Sequence, residues 1–349
     1  MTQPPAAPQT TRRQFLQQAG FAVSATITGT VFPASPVTAA DYSGLKTDNY
    51  LGPVEVLAKV EDKTVFTEGP AVARDGTVLF TNVPANKILK WDPETKRLSV
   101  FRENSNETNG LYFAPDGSLL ACEGASARIT RTDAKTGKIE VLAEGYQGRR
   151  LAKPNDLCMD NRGRIYFSSR SATEDPVGEN VKSVYRIDTD GSLHQILAWP
   201  EVHMPNGIVT SPDNKKLYLI EAHPAADHHR DIRVYDLSAD GNVSNGQVLI
   251  DFYPGRSGDG MCIDAQGNLY VAAGLHKTRN TSETLDTKPG IHVISPEGKL
   301  LAYRETPEDT ITNCTFGGED LKTLYVTCGS LLLSIPTKIA GKASYKPHP

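Results

Sequence analysis

A sequence unit recurs six times along this chain, and the repetition limits the folds that the chain can adopt. In each copy a polar residue opens a short apolar run, and a turn sequence separates that run from a second apolar run. The third copy, for example, begins at Asn155 and reaches its turn glycine at Gly163. Apolar runs joined by turns rich in Gly, Asp and Asn are typical of antiparallel hairpins. The unit therefore predicts a pair of β-strands.

The residue that leads each copy is always a carboxylate or a carboxamide, and it always stands eight residues before the turn position. The six leading residues are Glu68, Asn109, Asn155, Asn206, Asp259 and Asn313. Successive copies begin 41 to 54 residues apart, and most copies continue into a third and a fourth apolar run. A period of roughly 40–50 residues with four short strands is the signature of a β-propeller blade. We therefore predict an all-β fold, a six-bladed β-propeller with four-stranded blades, in which the leading residues surround one axis.

The two ends of the repeat array complement each other. The sixth copy has no fourth strand, because only a Lys- and Pro-rich tail follows residues 331–335. Residues 54–60, before the first copy, have the pattern of a strand. Pairing this segment with the sixth blade would close the ring and remove its exposed edges. We expect one propeller domain over residues 41–349, closed by its N-terminal strand.

The first forty residues differ from the rest of the chain. They contain Arg12 and Arg13 but no acidic residue, then a mildly apolar stretch at 19–32 and small residues at 37–40. This order predicts a signal peptide of the twin-arginine type over residues 1–40. A disordered basic tail with a chance arginine pair is the alternative. Under the first interpretation the twin-arginine export machinery is a partner, and the mature protein is periplasmic or secreted.

Charge and hydropathy exclude two classes of partner. The formal net charge is −4 and the sequence has no basic stripe, so we do not expect the chain to bind nucleic acid. No apolar run approaches the ~20 residues of a membrane span.

The five cysteines have no C-x-x-C spacing, and their positions in the strands favour buried thiols. A disulfide between Cys314 and Cys328 across the last hairpin is the alternative in an oxidising compartment.

The chemistry of the leading residues indicates a cation site. Glu68 and Asp259 would repel each other at one end of a channel, and a hard divalent cation with oxygen ligands would relieve this. The six positions supply no Cys or His, which argues against structural zinc. Alternatively, Asn-Gly and Asp-Gly only mark turns. For Asn109 and Asn313 we expect a backbone-capping role.

Several motifs resemble the gluconolactonase family, which includes regucalcin and the luciferin-regenerating enzymes. They are Phe-Thr-Glu-Gly-Pro at 66–70, Lys-Pro-Asn-Asp-Leu at 153–157, Pro-Asn-Gly-Ile at 205–208, Ser-Gly-Asp-Gly-Met-Cys-Ile-Asp at 257–264 and Asn-Cys-Thr-Phe-Gly-Gly at 313–318. The resemblance covers roughly residues 54–336 and implies a six-bladed propeller. It also implies one axial divalent cation held by Glu68, Asn206 and Asp259, with Asn155 near both metal and substrate. Ca2+ is the expected ion, and Zn2+, Mg2+ and Mn2+ stay open.

The resemblance further implies hydrolysis of a sugar lactone such as glucono-1,5-lactone. The cation would polarise the carbonyl, stabilise the oxyanion and activate a water molecule. Asp259 would act as ligand and general base, with Asp156 as the alternative base. Asn155 would orient the lactone. Lys153 stands where regucalcin has an arginine that contacts substrate, so we expect Lys153 to bind substrate, and the departure leaves the exact lactone open.

Three long insertions, at 168–181, 222–230 and 274–288, connect second and third strands and are the expected places for substrate selection. The first would hold the substrate-contacting glutamate of regucalcin, as Glu174 or Glu179. The second carries His223, the histidine best placed to reach the channel mouth and contact substrate, although a solvated polar loop is the alternative. The competing function is a non-catalytic, calcium-binding propeller that binds a sugar acid or a protein.

Overall fold

The computed structural model describes residues 41–170 and 182–342. Three sequence predictions lie outside the described residues: the signal peptide over 1–40 and the candidate glutamates Glu174 and Glu179. Of the secondary structure described, almost all is β-strand. The exception is a single 3-10 turn at Thr47–Asn49. The all-β prediction is therefore confirmed.

Six four-stranded antiparallel sheets form the blades, as predicted. Blade 1 contains Thr67–Val72, Val78–Asn82, Lys87–Asp92 and Arg97–Glu103; blade 2 contains Thr108–Phe113, Leu119–Glu123, Arg128–Thr132 and Ile139–Ala143; blade 3 contains Lys153–Met159, Ile165–Arg170, Ser183–Ile187 and Leu193–Ala198; blade 4 contains Pro205–Thr210, Lys216–Glu221, Asp231–Leu237 and Val243–Asp251; blade 5 contains Gly258–Ile263, Leu269–Ala273, Gly290–Ile294 and Leu300–Glu305; blade 6 contains Ile311–Gly317, Thr323–Cys328, Leu331–Pro336 and the N-terminal Glu55–Lys59. A small hairpin of Gly145–Tyr146 and Arg149–Arg150, which the sequence pattern did not predict, lies between blades 2 and 3.

The N-terminal strand closes the ring. Glu55–Lys59 pairs antiparallel with Leu331–Pro336 and so supplies the fourth strand of blade 6. The apolar core also joins the last blade to the first. Buried clusters lie between neighbouring blades, and one of them packs Tyr325 and Leu332 of blade 6 against Phe80 of blade 1. Strand pairing and core packing therefore both join the two ends of the chain.

Burial decreases from the channel outward. The first strands are almost entirely buried, as in Pro205–Thr210 and Gly258–Ile263. The fourth strand of blade 1, Arg97–Glu103, is mostly exposed. Since the second strands are buried on both faces, they read as continuous apolar runs such as Leu269–Ala273. The rigid inner strands therefore carry the leading residues.

Candidate active site at one end of the channel

An irregularity in strand pairing recurs beside each leading residue. In blade 3, Pro154 pairs with Ser169 and Leu157 pairs with Phe167, so Asn155 and Asp156 together face one residue of the partner strand. Every described first strand has one extra residue at this level. Such a β-bulge bends the strand and redirects a side chain. The constant offset in the sequence thus reflects a bulge that directs the leading side chains into the channel.

The glycine that follows several leading residues is required by a close approach between blades. A Cβ on Gly110 would lie 2.7 Å from the carbonyl oxygen of Asn155, and one on Gly207 would lie 2.7 Å from that of Asp259. Real Cβ atoms do not tolerate such contacts. The Asn-Gly and Asp-Gly pairs are therefore more than turn markers, because their glycines let neighbouring leading residues pack together around the axis.

A cavity of about 420 Å³ opens at this end of the channel. Four leading residues line it: Asn109, Asn155, Asn206 and Asp259. The insertions at 222–230 and 274–288 contribute Pro224, Arg279 and Glu283 to its walls. The volume lies within the range of small-molecule sites, roughly 300–1,000 Å³.

Three buried carboxylates influence one another around the axis of the propeller. The pKa of Glu68 is raised well above its usual value, first by burial and then by the charges of Asp259 and Asp156. Burial also raises the pKa of Asp156 to about 7, although hydrogen bonds from the Leu157 amide and from Asn313 partly oppose the rise. The predicted repulsion between acids on the axis is therefore present, and it includes Asp156 as a third member.

Asp259 is held by two donors. The Asn206 Nδ2 donates to its Oδ1 at 2.5 Å, and Arg256 donates to its Oδ2. Arg256 is buried and also donates to the carbonyl oxygen of Ile311 at 3.0 Å. Sequence reasoning missed Arg256, since it precedes the first strand of blade 5 and has no equivalent in the repeat. Its only signal was a basic residue three positions before a ring acid.

Asp156 lies on the far side of the ring from the cavity. It lines a smaller space of about 70 Å³ with Asn313 and Lys342, whereas Asn155 lines the larger cavity. Its backbone amide donates to the Ser168 hydroxyl at 3.2 Å. The two residues of the blade 3 bulge thus face different spaces. Of the two predicted bases, only Asp259 borders the cavity.

The ring fits a hard divalent cation by its chemistry. Asn109, for which we expected a capping role, has a buried Oδ1 with no hydrogen-bond partner among the described residues. Asn313 does cap, because its Oδ1 accepts from the Cys314 amide at 2.8 Å. The described residues contain no cluster of three or more His, Cys, Asp or Glu side chains arranged to bind a metal. The predicted ligand set instead combines the carboxylate oxygens of Glu68 and Asp259 with carboxamide oxygens, which are ligands that hard cations such as Ca2+ accept.

Lys153 lies at the rim of the cavity. Its Nζ is 3.3 Å from the Glu107 carboxylate, and 62% of its side chain is exposed. In the strand ladder it pairs with Arg170, which also lines the cavity. Sequence reasoning did not single out Arg170, because only the register of the two strands places it beside Lys153.

The histidines form a cluster behind the cavity wall. The Nδ1 atoms of His203 and His228 are 3.0 Å apart, and the His223 ring stacks on His228 with centroids 3.7 Å apart. Burial, followed by the charge of His228, lowers the pKa of His223 to about 4. Among the described residues, Ala222 and Pro224 line the cavity but His223 between them does not.

The cysteines are all free and buried, as expected from their positions in the strands. The alternative of a disulfide between Cys314 and Cys328 is wrong, because the two thiols have different neighbours. The Cys328 Sγ donates to the Glu308 carbonyl, while the Cys314 Sγ lies 3.5 Å from that of Cys262 on the adjacent blade.

The six blades, the acids and carboxamides around the axis and the adjoining cavity define the class of this protein: a β-propeller whose candidate site lies at its central axis. Comparison places the chain within it: the model of the SMP-30/Gluconolactonase/LRE-like region matches residues 66–330, so the chain belongs to that family. The gluconolactonase of Zymomonas mobilis subsp. mobilis is 29% identical over 317 residues, covering 83% of this chain and 82% of the relative. Regucalcin of Xenopus laevis is 28% identical over 273 residues, which cover 77% of this chain and 83% of that regucalcin.

Solved structures agree with the fold. A gluconolactonase from Xanthomonas campestris superposes with a TM-score of 0.67 at 26% identity, covering 88% of this chain and 99% of that chain. A helix that could cross a membrane, by length and apolar character, is not found in the described part of the chain.

Proposed function

We propose that this protein hydrolyses a sugar lactone, with glucono-1,5-lactone as the reference substrate, and that it uses one divalent cation. The observation that carries the proposal is a cavity of about 420 Å³ bordered by Asn155, Asn206 and Asp259. Glu68 adds a buried carboxylate whose pKa is raised by burial and by the charge of Asp259. The relatives named gluconolactonase support this reading.

Each polar residue of the site has a role in this proposal. Glu68, Asn155, Asn206 and Asp259 hold the cation, for which Ca2+ is the expected identity. When bound, the cation supplies Lewis-acid polarisation of the lactone carbonyl and lowers the pKa of water. Asn155 orients the lactone through its carboxamide.

The chain's own groups manage the proton. Asp259 accepts the proton of the attacking water, because it is the predicted base that borders the cavity. Arg256 and Asn206 hold its carboxylate in place by donating to one oxygen each. Asp156 supports the floor of the site through its hydrogen bond with Asn313. Lys153 contacts the substrate at the rim, and His223 supports the wall from behind.

The test is hydrolysis of glucono-1,5-lactone by the purified protein, before and after chelation and Ca2+ addition. We expect chelation to abolish activity, Ca2+ to restore it, and Asp259→Asn to lose it at any Ca2+ concentration. Unchanged hydrolysis after chelation and in Asp259→Asn would overturn the proposal. Absence of hydrolysis combined with a Ca2+-dependent rise in melting temperature would instead indicate the non-catalytic binding propeller.

A further inference from the structure

Four basic side chains line the cavity, and three of them already have partners. Lys153 lies 3.3 Å from Glu107. Arg256 donates to Asp259 and to backbone carbonyls. Arg279 donates to the Thr310 hydroxyl at 3.1 Å and lies 3.9 Å from Asp309. The fourth, Arg170, has no hydrogen bond or ion pair with any of the described residues.

Arg170 is fixed in position by its strand. It ends the second strand of blade 3, where it pairs with Lys153 beside the leading residue Asn155. It is half-buried, and its charge acts on the acids of the axis, because it partly opposes the rise in pKa of both Glu68 and Asp156. A guanidinium on a rigid strand, close to the reacting centre, is preorganised to bind a ligand.

Once the proposed cation is bound, the acids of the axis do not form an ion pair with the Arg170 guanidinium. The proposed divalent cation balances the two charges of Glu68 and Asp259, and the third acid, Asp156, already accepts from the Leu157 amide and from Asn313. Glu107 is engaged by Lys153, and Glu283 accepts from the Thr281 hydroxyl at 2.8 Å. A guanidinium presents five donors in a planar fork that matches a carboxylate or a phosphate. The loaded cavity therefore offers Arg170 to an anion that enters with the substrate.

We propose that Arg170 binds an acidic group of the substrate, so that this site takes sugar lactones that carry a carboxylate or a phosphate in addition to the lactone ring. This inference rests on the proposed lactonase function. Under it, neutral glucono-1,5-lactone is a weaker substrate than its acidic analogues. The competing explanation is that Arg170 only offsets the charges of Glu68 and Asp156.

The experiment compares three lactones in the wild type, in Arg170→Gln and in Arg279→Gln. The lactones are glucono-1,5-lactone, its 6-phosphate, and glucaro-1,4-lactone, which carries a carboxylate. Loss of one charge-assisted contact should raise KM for an acidic lactone about 10- to 100-fold in Arg170→Gln. KM for the neutral lactone should change less than about 3-fold, because it makes no such contact. Arg279→Gln is the matched control, and it should keep the preference for acidic lactones because its guanidinium is already bound by Thr310 and Asp309.

A second measurement does not depend on turnover. Calorimetry of the metal-loaded proteins with gluconate, 6-phosphogluconate and glucarate reports binding of the hydrolysed acids. We expect Arg170→Gln to weaken the binding of 6-phosphogluconate or of glucarate more than the binding of gluconate. The acid whose affinity falls further identifies phosphate or carboxylate as the group that Arg170 recognises. Metal content measured in parallel should be equal in wild type and variant. A fall in metal content with an unchanged ranking of the lactones would support the charge-balancing explanation and overturn the inference.

The two proposals fail in different ways. If all three lactones are hydrolysed with the same KM in wild type and Arg170→Gln, the inference is wrong and the lactonase function stands. If no lactone is hydrolysed but the acids bind in an Arg170-dependent manner, the lactonase function is wrong and the anion site stands.

Discussion

Asp156 of blade 3 accepts a hydrogen bond from the Nδ2 of Asn313 of blade 6, at 3.2 Å, so two blades three positions apart in the ring of six meet on the axis. The contact exists because blade 3 carries Asp156 where four other blades have glycine after the leading residue. Asp156 and Asn313 border the small inner space, whereas Asn155 and Asp259 border the cavity. The pair therefore forms part of the boundary between the active-site cavity and the rest of the channel.

Asn313→Ala tests this boundary. The variant removes the donor to Asp156 and the cap on the Cys314 amide, so buried groups lose their partners. We expect the free energy of unfolding to fall by about 1–3 kcal/mol, measured by urea titration. Ser43→Ala is the control, because the Ser43 hydroxyl donates to Asp41 at 2.6 Å on the exposed surface and its loss should cost less than about 0.5 kcal/mol. Equal losses in both variants would contradict the prediction.

Gly207→Ala tests the close approach between neighbouring blades. The added methyl would lie 2.7 Å from the Asp259 carbonyl oxygen and 2.9 Å from the Ile220 Cδ1. We expect overpacking to cost about 1–3 kcal/mol of stability and to weaken Ca2+ binding, because the strand that carries Asp259 must shift. Gly137→Ala lies in an exposed turn with nothing within 4 Å of the new methyl, so it should cost only backbone strain and leave Ca2+ affinity unchanged.

The sequence was sufficient for the number of blades, the closure and the ring, because all three follow from a repeated position. It was not sufficient for residues outside the repeat. Arg256 reaches Asp259 from the segment before blade 5, and Arg170 joins the cavity through its pairing with Lys153, so neither has a periodic signal. The division of Asn155 and Asp156 between two separate spaces is a property of the assembled ring, which the sequence pattern does not show.

His292 makes stability depend on pH. It is fully buried, its Nε2 is 2.9 Å from the Tyr42 hydroxyl, and burial lowers its pKa from 6.5 to about 4. As the pH falls, His292 is protonated in the unfolded chain before it is protonated in the folded protein. The free energy of unfolding is therefore at its full value above pH 6.5 and falls between pH 6.5 and 4. The loss amounts to about 3 kcal/mol. In His292→Phe the slope of unfolding free energy against pH over this interval should be smaller than in the wild type. Identical slopes would show that His292 does not titrate on unfolding.

We propose that the protein is exported by the twin-arginine route, as the order of segments in residues 1–40 predicts. Replacing Arg12 and Arg13 by lysine keeps the charge but removes the pair that the export machinery recognises. We expect the wild type in the periplasmic fraction or the medium with an N-terminus near residue 41, and the double variant as an uncleaved protein inside the cell. An unprocessed wild-type chain, intact from Met1, would support the alternative of a basic tail.

Glu68→Gln separates the cost of the axial charges from the benefit of the cation. Without a cation, Glu68 is buried near Asp259 and Asp156 and is destabilised by both, so a neutral isostere should raise the melting temperature of the chelated protein. The same change removes a ligand, and the Ca2+-dependent stabilisation should fall. In the wild type, Ca2+ at about 100 times its dissociation constant should add about 2.7 kcal/mol, a rise of several degrees. Scanning calorimetry in chelator and in Ca2+ measures both effects on one pair of proteins. A lower melting temperature for Glu68→Gln in chelator, or a full Ca2+ response, would mean that Glu68 is a structural acid rather than part of the cation site.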